Sequence, residues 1–162
     1  MLYVCNLAVS AHASQYPVGM PASANKGPGP GPKLRSQALR KRCLSLEGSE
    51  ETFPFGPETS AFKVAGKIFA LSRLHAQPLS VSLKCEPLLA EQLRAAHPAI
   101  GAGYHLNKRH WNTIVIDGSL PSSMLVEMIE DSYDLVVSSL PRARQITLGW
   151  GQIARDQTPW GP

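Results

Sequence analysis

The residue types best suited to chemistry lie in a nine-residue stretch, 105–113, which holds two histidines, two cations, two amides and a tryptophan. Directly after it the sequence turns aliphatic over 114–116, so a polar loop is expected to meet a rigid strand, as in many binding sites. Lysine and arginine neutralise phosphates, and asparagine hydrogen-bonds phosphates or base edges. The residue types of this stretch are therefore compatible with a phosphate contact through Lys108 and Arg109, with Asn107 and Asn112 as hydrogen-bonding groups, but residue types alone favour a basic hairpin tip at least as much.

Trp111 can be interpreted in two ways. If it is exposed, its ring can stack on a base, and if it is buried, it closes one end of the core. We favour the second interpretation, because Trp111 directly precedes the strand and shares its alternation with Thr113 and Val115. The alternative to a nucleic-acid site is then that the whole stretch is a basic loop whose tryptophan has a structural role.

Catalysis and metal binding have little support in the sequence. His105 and His110 are five residues apart, which is not the spacing of a helical metal-binding pair, and no carboxylate lies between them to orient a ring. Cys85 follows Lys84, but a buried structural cysteine is the commoner state of such a thiol. Phosphate-binding glycine loops and the nucleophile elbow are missing from the sequence. We predict that the protein is not an enzyme and uses no metal or cofactor.

Charge is segregated along the chain. Residues 1–42 carry six cations and no acid, whereas residues 43–162 carry 10 cations and 12 acids, a net charge of −2. Within the second part, 60–114 holds seven cations against two acids, and 115–140 holds five acids and no cation. A molecule with a basic half and an acidic half can steer one face toward a polyanion despite its total charge.

The first 32 residues are expected to be a disordered or dispensable extension, because the run of proline and glycine from Pro21 cannot bury apolar surface. Met20 precedes that run and is an alternative start. The apolar opening is too short for a membrane span and has the wrong charge pattern for a signal peptide. Because no membrane span is predicted, we expect no membrane partner. Three cysteines without a C-x-x-C spacing indicate reduced thiols, and hence a cytoplasmic protein.

A tight hairpin is predicted around Ala65-Gly66, with strands over 61–64 and 67–71. A two-residue loop would place Phe62 opposite Phe69, and it would leave the turn between Lys63 and Lys67. The hairpin tip is therefore expected to be strongly positive.

The remaining pattern predicts helices over 34–46, 87–97 and 121–140 and an alternating strand over 79–84. In the second helix Leu88, Leu89, Gln92, Leu93 and Ala96 form the apolar stripe. Strands in the middle and helices at both ends indicate an α+β two-layer sandwich, an antiparallel sheet with helices packed on one face. The domain is expected to span 33–142, and 143–162 to be an irregular tail in which Trp150 and Trp160 either dock or stay exposed.

Four separated runs, 62–70, 82–87, 104–118 and 131–136, together resemble the MmcQ/YjbR family of small bacterial proteins. The resemblance covers about residues 35–142. It implies a frataxin-like (CyaY-like) fold and DNA binding through two wing-like projections. The matching positions here are the hairpin tip and the loop from Asn107 to His110. The iron-binding acidic first helix of frataxins is not implied, because the helix over 34–46 is basic.

The resulting hypothesis is weak DNA binding directed mainly at the phosphate backbone. Its contact residues are Lys63, Lys67, Lys84, Asn107, Lys108, Arg109 and His110. The basic side of the first helix (Arg35, Arg40, Lys41 and Arg42) either is solvated or extends this footprint. The alternative function is a non-enzymatic protein-interaction or regulatory module that uses the acidic helix face (Glu127, Glu130 and Asp134) or the tail.

Overall fold

Residues 32–150, the part of the chain that the computed structural model describes, alternate short strands with four helices. In chain order the elements are α1 (Pro32–Leu44), β1 (Ser49–Thr52), β2 (Ser60–Val64), β3 (Lys67–Ser72), β4 (Ser80–Lys84), α2 (Pro87–Ala96), β5 (Ile100–Ala102), β6 (Trp111–Val115), α3 (Ser122–Ser138) and α4 (Arg142–Thr147). Apart from Pro32, which begins α1, the predicted extension lies outside the described residues, and so does Trp160. None of the helices in 32–150 is long and apolar enough to cross a membrane.

The six strands form one antiparallel sheet in the order β1-β2-β3-β4-β6-β5. Helices α1, α2 and α3 contribute to a single core with one side of this sheet, through Leu39, Leu93 and Ile129 respectively. Their partners in the sheet include Phe62 and Ile114. The predicted α+β two-layer architecture is confirmed.

Strand β4 shows the predicted alternation. Val81 and Leu83 are buried, whereas Ser80, Ser82 and Lys84 are only partly buried on the other side. Side chains of successive strand residues point to opposite sides, so one set faces the helices and the other faces away from them. We call the side of the sheet that turns away from α1, α2 and α3 the open face.

The β2–β3 hairpin turns at Ala65 and Gly66, which have φ angles of 48° and 77°. Positive φ at both central residues is typical of two-residue hairpin turns, and glycine adopts it without strain. Val64 pairs with Lys67 as predicted, but Phe62 lies opposite Ala70 and not Phe69, because the register shifts next to Phe62. The shift inserts one residue and leaves both phenylalanine rings buried, with 6.5 Å between their centroids.

Helix α2 begins at Pro87, as its sequence predicts, but it buries a different face. Ala90 and Leu93 are buried, whereas Leu88 is 77% exposed. Each helical residue advances about 100°, so Leu88 lies roughly opposite Ala90 around the helix. The predicted stripe is therefore wrong at Leu88, and its members Gln92 and Ala96 are exposed as well.

The C-terminal region is more regular than predicted, because α4 forms where an irregular tail was expected. Gln145 on α4 is buried and donates hydrogen bonds to the backbone carbonyls of Ser138 (3.0 Å) and Leu140 (2.9 Å). Trp150 packs against the core and donates its indole N–H to Asp134 Oδ1 at 3.1 Å. One of the two tail tryptophans is therefore docked on α3.

Candidate nucleic-acid interface

The two predicted projections lie at the same end of the sheet. The pairs Leu83–Ala70 and Lys84–Trp111 align the end of β4 with the start of β3 and of β6. The hairpin tip at Ala65-Gly66 and the loop from β5 to β6 (103–110, hereafter the β5–β6 loop) therefore extend in one direction. Three strand spacings separate the hairpin from the loop, which corresponds to about 14 Å.

Backbone hydrogen bonds give the β5–β6 loop a fixed shape. Gly103 N donates to Trp111 O at 2.8 Å, and His110 N donates to Asn107 O at 3.0 Å. The side chain of Asn107 accepts from Arg109 N at 3.0 Å, so it closes a turn within the loop. A Cβ atom on Gly103 would lie 2.8 Å from Trp111 Cβ, so only glycine fits where the loop leaves β5.

Helix α2 holds this loop through Arg94. Its Nη1 donates to Lys108 O at 2.8 Å and to Asn112 Oδ1 at 3.1 Å. Asn112 is 2% exposed, and its amide nitrogen donates to Ala90 O at 3.4 Å. Asn112 is therefore a structural residue, and its predicted contact with a phosphate or base is wrong. Its position in the alternation, in phase with the buried Ile114, is the signal that could have shown this.

Four of the predicted contact residues, Asn107, Lys108, Arg109 and His110, are exposed on the β5–β6 loop. In the same loop the rings of Tyr104 and His105 contact each other, with 4.0 Å between their centroids, and Tyr104 is 77% exposed. The loop thus presents cations and aromatic surface to solvent together.

The two lysines of the hairpin diverge. Lys63 pairs with Ile68 and points to the open face. Lys67 donates from Nζ to Ser139 Oγ at 3.1 Å, at the C-terminal end of α3, where a cation also interacts favourably with the helix dipole. The hairpin therefore offers one cation to each side of the sheet.

Lys84 and Trp111 form a cation–π pair on the open face, with Lys84 Nζ 5.5 Å from the centre of the ring. Burial, followed by the nearby positive charge of Lys67, lowers the pKa of Lys84. Trp111 is partly buried and shares the open face with Thr113, whereas Asn112 and Ile114 fill the core positions of β6. The prediction that Trp111 closes the core is therefore wrong.

The basic side of α1 is engaged within the protein. Arg40 Nη2 lies 2.6 Å from Glu51 Oε2, and Arg42 forms an ion pair with Glu130 of α3. Arg35 donates to Ile116 O at 3.4 Å. Three of the four basic residues on this side of α1 therefore make contacts within the protein, whereas Lys41 is exposed. The Arg42 pair also uses part of the acidic face of α3.

The two cysteines of the described residues are buried or partly buried. Burial raises the pKa of the Cys43 thiol to about 12, and burial, reinforced by Asp131, raises that of Cys85 to about 12. Both thiols are therefore protonated at neutral pH and poor nucleophiles. Within 32–150, no group of three or more histidine, cysteine, aspartate or glutamate side chains is arranged to hold a metal ion.

The sequence model of the YjbR family matches residues 44–135, a range that includes all six strands and most of α3. The chain belongs to the YjbR family. The match contains both projections, Trp111 and Arg94, so the site described above lies on the part of the chain that defines the family.

Relatives of known sequence extend over the same region. YbdF of Escherichia coli O157:H7 is 36% identical over 110 residues, which are 67% of this chain and 89% of that protein. YjbR of Escherichia coli K12 is 35% identical over 107 residues, 66% of this chain and 91% of that protein. Both are described as uncharacterized proteins.

Solved structures of two other proteins have a similar fold. The crystal structure of the Deinococcus radiodurans protein DR2400 matches with a TM-score of 0.67 and 42% identity, over 70% of this chain and 87% of that one. A crystal structure of a protein from Pseudomonas syringae matches with a TM-score of 0.54 and 26% identity, over 61% of this chain and 96% of that one.

Proposed function

We propose that this YjbR-family protein is a cytoplasmic nucleic-acid-binding protein that contacts mainly the phosphate backbone through two basic projections. The observation that carries the proposal is the common direction of the two projections. The exposed Lys108, Arg109 and His110 on the β5–β6 loop and Lys63 on the hairpin lie at one end of the sheet. Cations grouped in this way release counterions when they meet phosphates, and this release supplies most of the affinity of backbone-directed binding.

The spacing of the projections supports the proposal. Their separation of about 14 Å is close to the width of the DNA major groove, which is about 12 Å, so the two can reach phosphates on both sides of a groove. The cations of both projections are carried by a hairpin and a loop, and not by a helix that could enter the groove and read bases. We therefore expect affinity that depends little on the base sequence.

The rigidity of the β5–β6 loop is a second support. Arg94, Gly103 and Asn107 fix the loop by hydrogen bonds to its backbone. A loop that is already ordered loses less conformational entropy when it binds a ligand. Binding of this kind requires no catalytic group and no cofactor.

The competing function, a protein-interaction module, relied on the acidic face of α3 and the tail. Glu130 pairs with Arg42, and Asp134 accepts the hydrogen bond of Trp150. Because part of that face serves internal contacts, we favour the basic end of the sheet as the working surface.

A salt titration tests the proposal. The affinity for a generic DNA duplex should fall steeply with salt, and replacing Lys63, Lys108 and Arg109 together by alanine should reduce the slope of log K against log salt by about three. The matched control replaces Lys41, Arg73 and Arg144, which are exposed and belong to neither projection. Circular dichroism melting verifies that both variants fold. The proposal is refuted if the first variant binds like the wild type at low salt, or if the control loses as much affinity.

A further inference from the structure

We propose that the preferred ligand is single-stranded nucleic acid, with bases stacked on Trp111 across the open face of the sheet. The inference rests on the proposed function, since it names the class of nucleic acid that the basic end of the sheet would hold. It starts from Trp111, which the fold places on the open face and outside the core. The backbone-directed function does not use this ring.

The strand register assembles the surface around Trp111. Lys84 lies directly opposite Trp111, Ser82 lies opposite Thr113, and Leu71 lies opposite Ser82. The hydroxyls of Ser82 and Thr113 are 2.8 Å apart and hydrogen-bond each other. The result is an aromatic ring bordered by a cation, hydroxyl groups and aliphatic surface, and this mixture suits a base and its phosphate better than a purely apolar partner.

Charge on the open face is complementary to a polyanion. Strands β2, β3, β4 and β6 contain no acidic residue, whereas they carry Lys63 and Lys84 on this face. The acid on the same face is Glu50, which lies opposite Lys63 on the edge strand β1. From β3 to β6 the strands place Lys84 and no carboxylate on this face, so a chain of phosphates can cross it without meeting a carboxylate of these strands.

The open face is continuous with the β5–β6 loop. Tyr104 N donates to Thr113 Oγ1 at 3.4 Å, which links the loop backbone to the face. A strand whose phosphates contact Lys108 and Arg109 can therefore continue past Tyr104 onto Trp111. The flexible side chain of Lys84 can move off the Trp111 ring when a base stacks there, and its ammonium can then contact the neighbouring phosphate.

Single strands fit this surface better than duplexes do. In a duplex the faces of the bases are stacked on each other, so a tryptophan on a sheet cannot reach them, whereas the bases of a single strand are free to stack on aromatic side chains. Duplex DNA would engage the projections alone. We therefore expect single strands to bind more tightly than duplexes at equal salt.

The experiment separates stacking from charge by the choice of ligand. Affinity is measured for a thymidine oligonucleotide of about 12 nucleotides, for an abasic oligonucleotide of the same length, and for a duplex. The wild-type protein should bind the thymidine strand most tightly. Trp111→Leu should weaken that binding about tenfold and leave the abasic strand unaffected, whereas Trp111→Tyr, which retains an aromatic face, should retain most of the affinity.

A fluorescence measurement tests base stacking without any substitution of Trp111. In a Trp150→Phe, Trp160→Phe background Trp111 is the remaining tryptophan, so its fluorescence reports directly on stacking. We expect quenching by the thymidine strand and little change with the abasic strand. This readout stays decisive even if Trp111→Leu unfolds.

Each opposing outcome has a distinct meaning. Equal affinity for thymidine and abasic strands, together with unquenched fluorescence, refutes base stacking but leaves backbone binding intact. Failure of every nucleic acid to bind refutes the proposed function as well. If sedimentation shows a dimer that Trp111→Leu dissociates, the open face is occupied by a second copy of the chain, and the inference is overturned.

Discussion

The guanidinium of Arg94 donates a hydrogen bond to the backbone carbonyl oxygen of Lys108 at 2.8 Å. Arg94 of helix α2 thereby holds the β5–β6 loop, which carries the exposed cations Lys108 and Arg109. The same nitrogen reaches the buried Asn112 at 3.1 Å, so the loop, the helix and the core position of β6 are tied at one point. Arg94 acts on the candidate interface through its neighbours and is a positioning residue.

Replacing Arg94 by methionine removes both hydrogen bonds but keeps an aliphatic stem of similar length. Hydrogen bonds to charged groups contribute about 1.5–3 kcal/mol, and the buried Asn112 oxygen would lose this donor. We expect the free energy of unfolding in urea to fall by about 2 kcal/mol. Arg73→Met, at an exposed position away from the loop, is the control and should be nearly neutral. Equal stability of the two variants would show that Arg94 does not position the loop.

The diverging lysines of the hairpin predict unequal effects on binding. Lys63 faces the open side, whereas Lys67 is hydrogen-bonded to Ser139 at 3.1 Å. We expect Lys63→Ala to reduce the salt slope of DNA binding by about one, and Lys67→Ala to reduce it by clearly less. The two slopes are compared in parallel titrations. A larger effect of Lys67→Ala would mean that the hairpin meets its ligand from the helix side.

Ser132 joins α3 to the middle of the sheet. Its hydroxyl donates to Phe69 O at 2.6 Å and accepts from Lys84 N at 2.7 Å, and the residue is 0% exposed. Ser132→Ala leaves two buried backbone groups without this partner, so we expect a loss of about 1–3 kcal/mol in urea unfolding. Ser138→Ala, on an exposed position of the same helix, should change stability by less than about 0.5 kcal/mol. A neutral Ser132→Ala would contradict the role of this hydroxyl.

The buried thiol of Cys43 predicts a loss of stability at alkaline pH. Its pKa rises from 9.0 to about 12 on folding, so between these values the unfolded chain releases a proton that the folded protein retains. Stability from this source is intact below about pH 9 and declines as pH rises, by up to about 1.4 kcal/mol per pH unit. Urea unfolding at several pH values should show a shallower decline for Cys43→Ala than for the wild type. Parallel declines would indicate that the thiol ionises equally in both states.

Local patterns in the sequence were sufficient for most of the sheet. The alternation of Val81 and Leu83 and the Ala65-Gly66 turn depend on neighbouring residues, and both appear in the structure as predicted. Trp111 was misassigned because its alternation with Thr113 identifies a shared face but cannot say which face the helices cover. That choice depends on contacts between segments far apart in the chain.

Arg94 escaped prediction for the same reason. A single cation in an amphipathic helix is normally solvated, and its acceptor at Lys108 lies 14 residues further along the chain. The register shift beside Phe62 was also missed, because two-residue turns usually continue into regular pairing. In both cases the determining interactions are tertiary, and the local sequence is compatible with either outcome.

Both edge strands of the sheet are short, because β1 has four residues and β5 has three. Strand β1 also carries two consecutive glutamates, Glu50 and Glu51. Short or charged edge strands offer few unpaired backbone groups to a neighbouring molecule, so they discourage strand pairing between one chain and the next. Such edge strands limit growth of the sheet from one molecule to the next, even though the described helices α1, α2 and α3 all pack on one side of it.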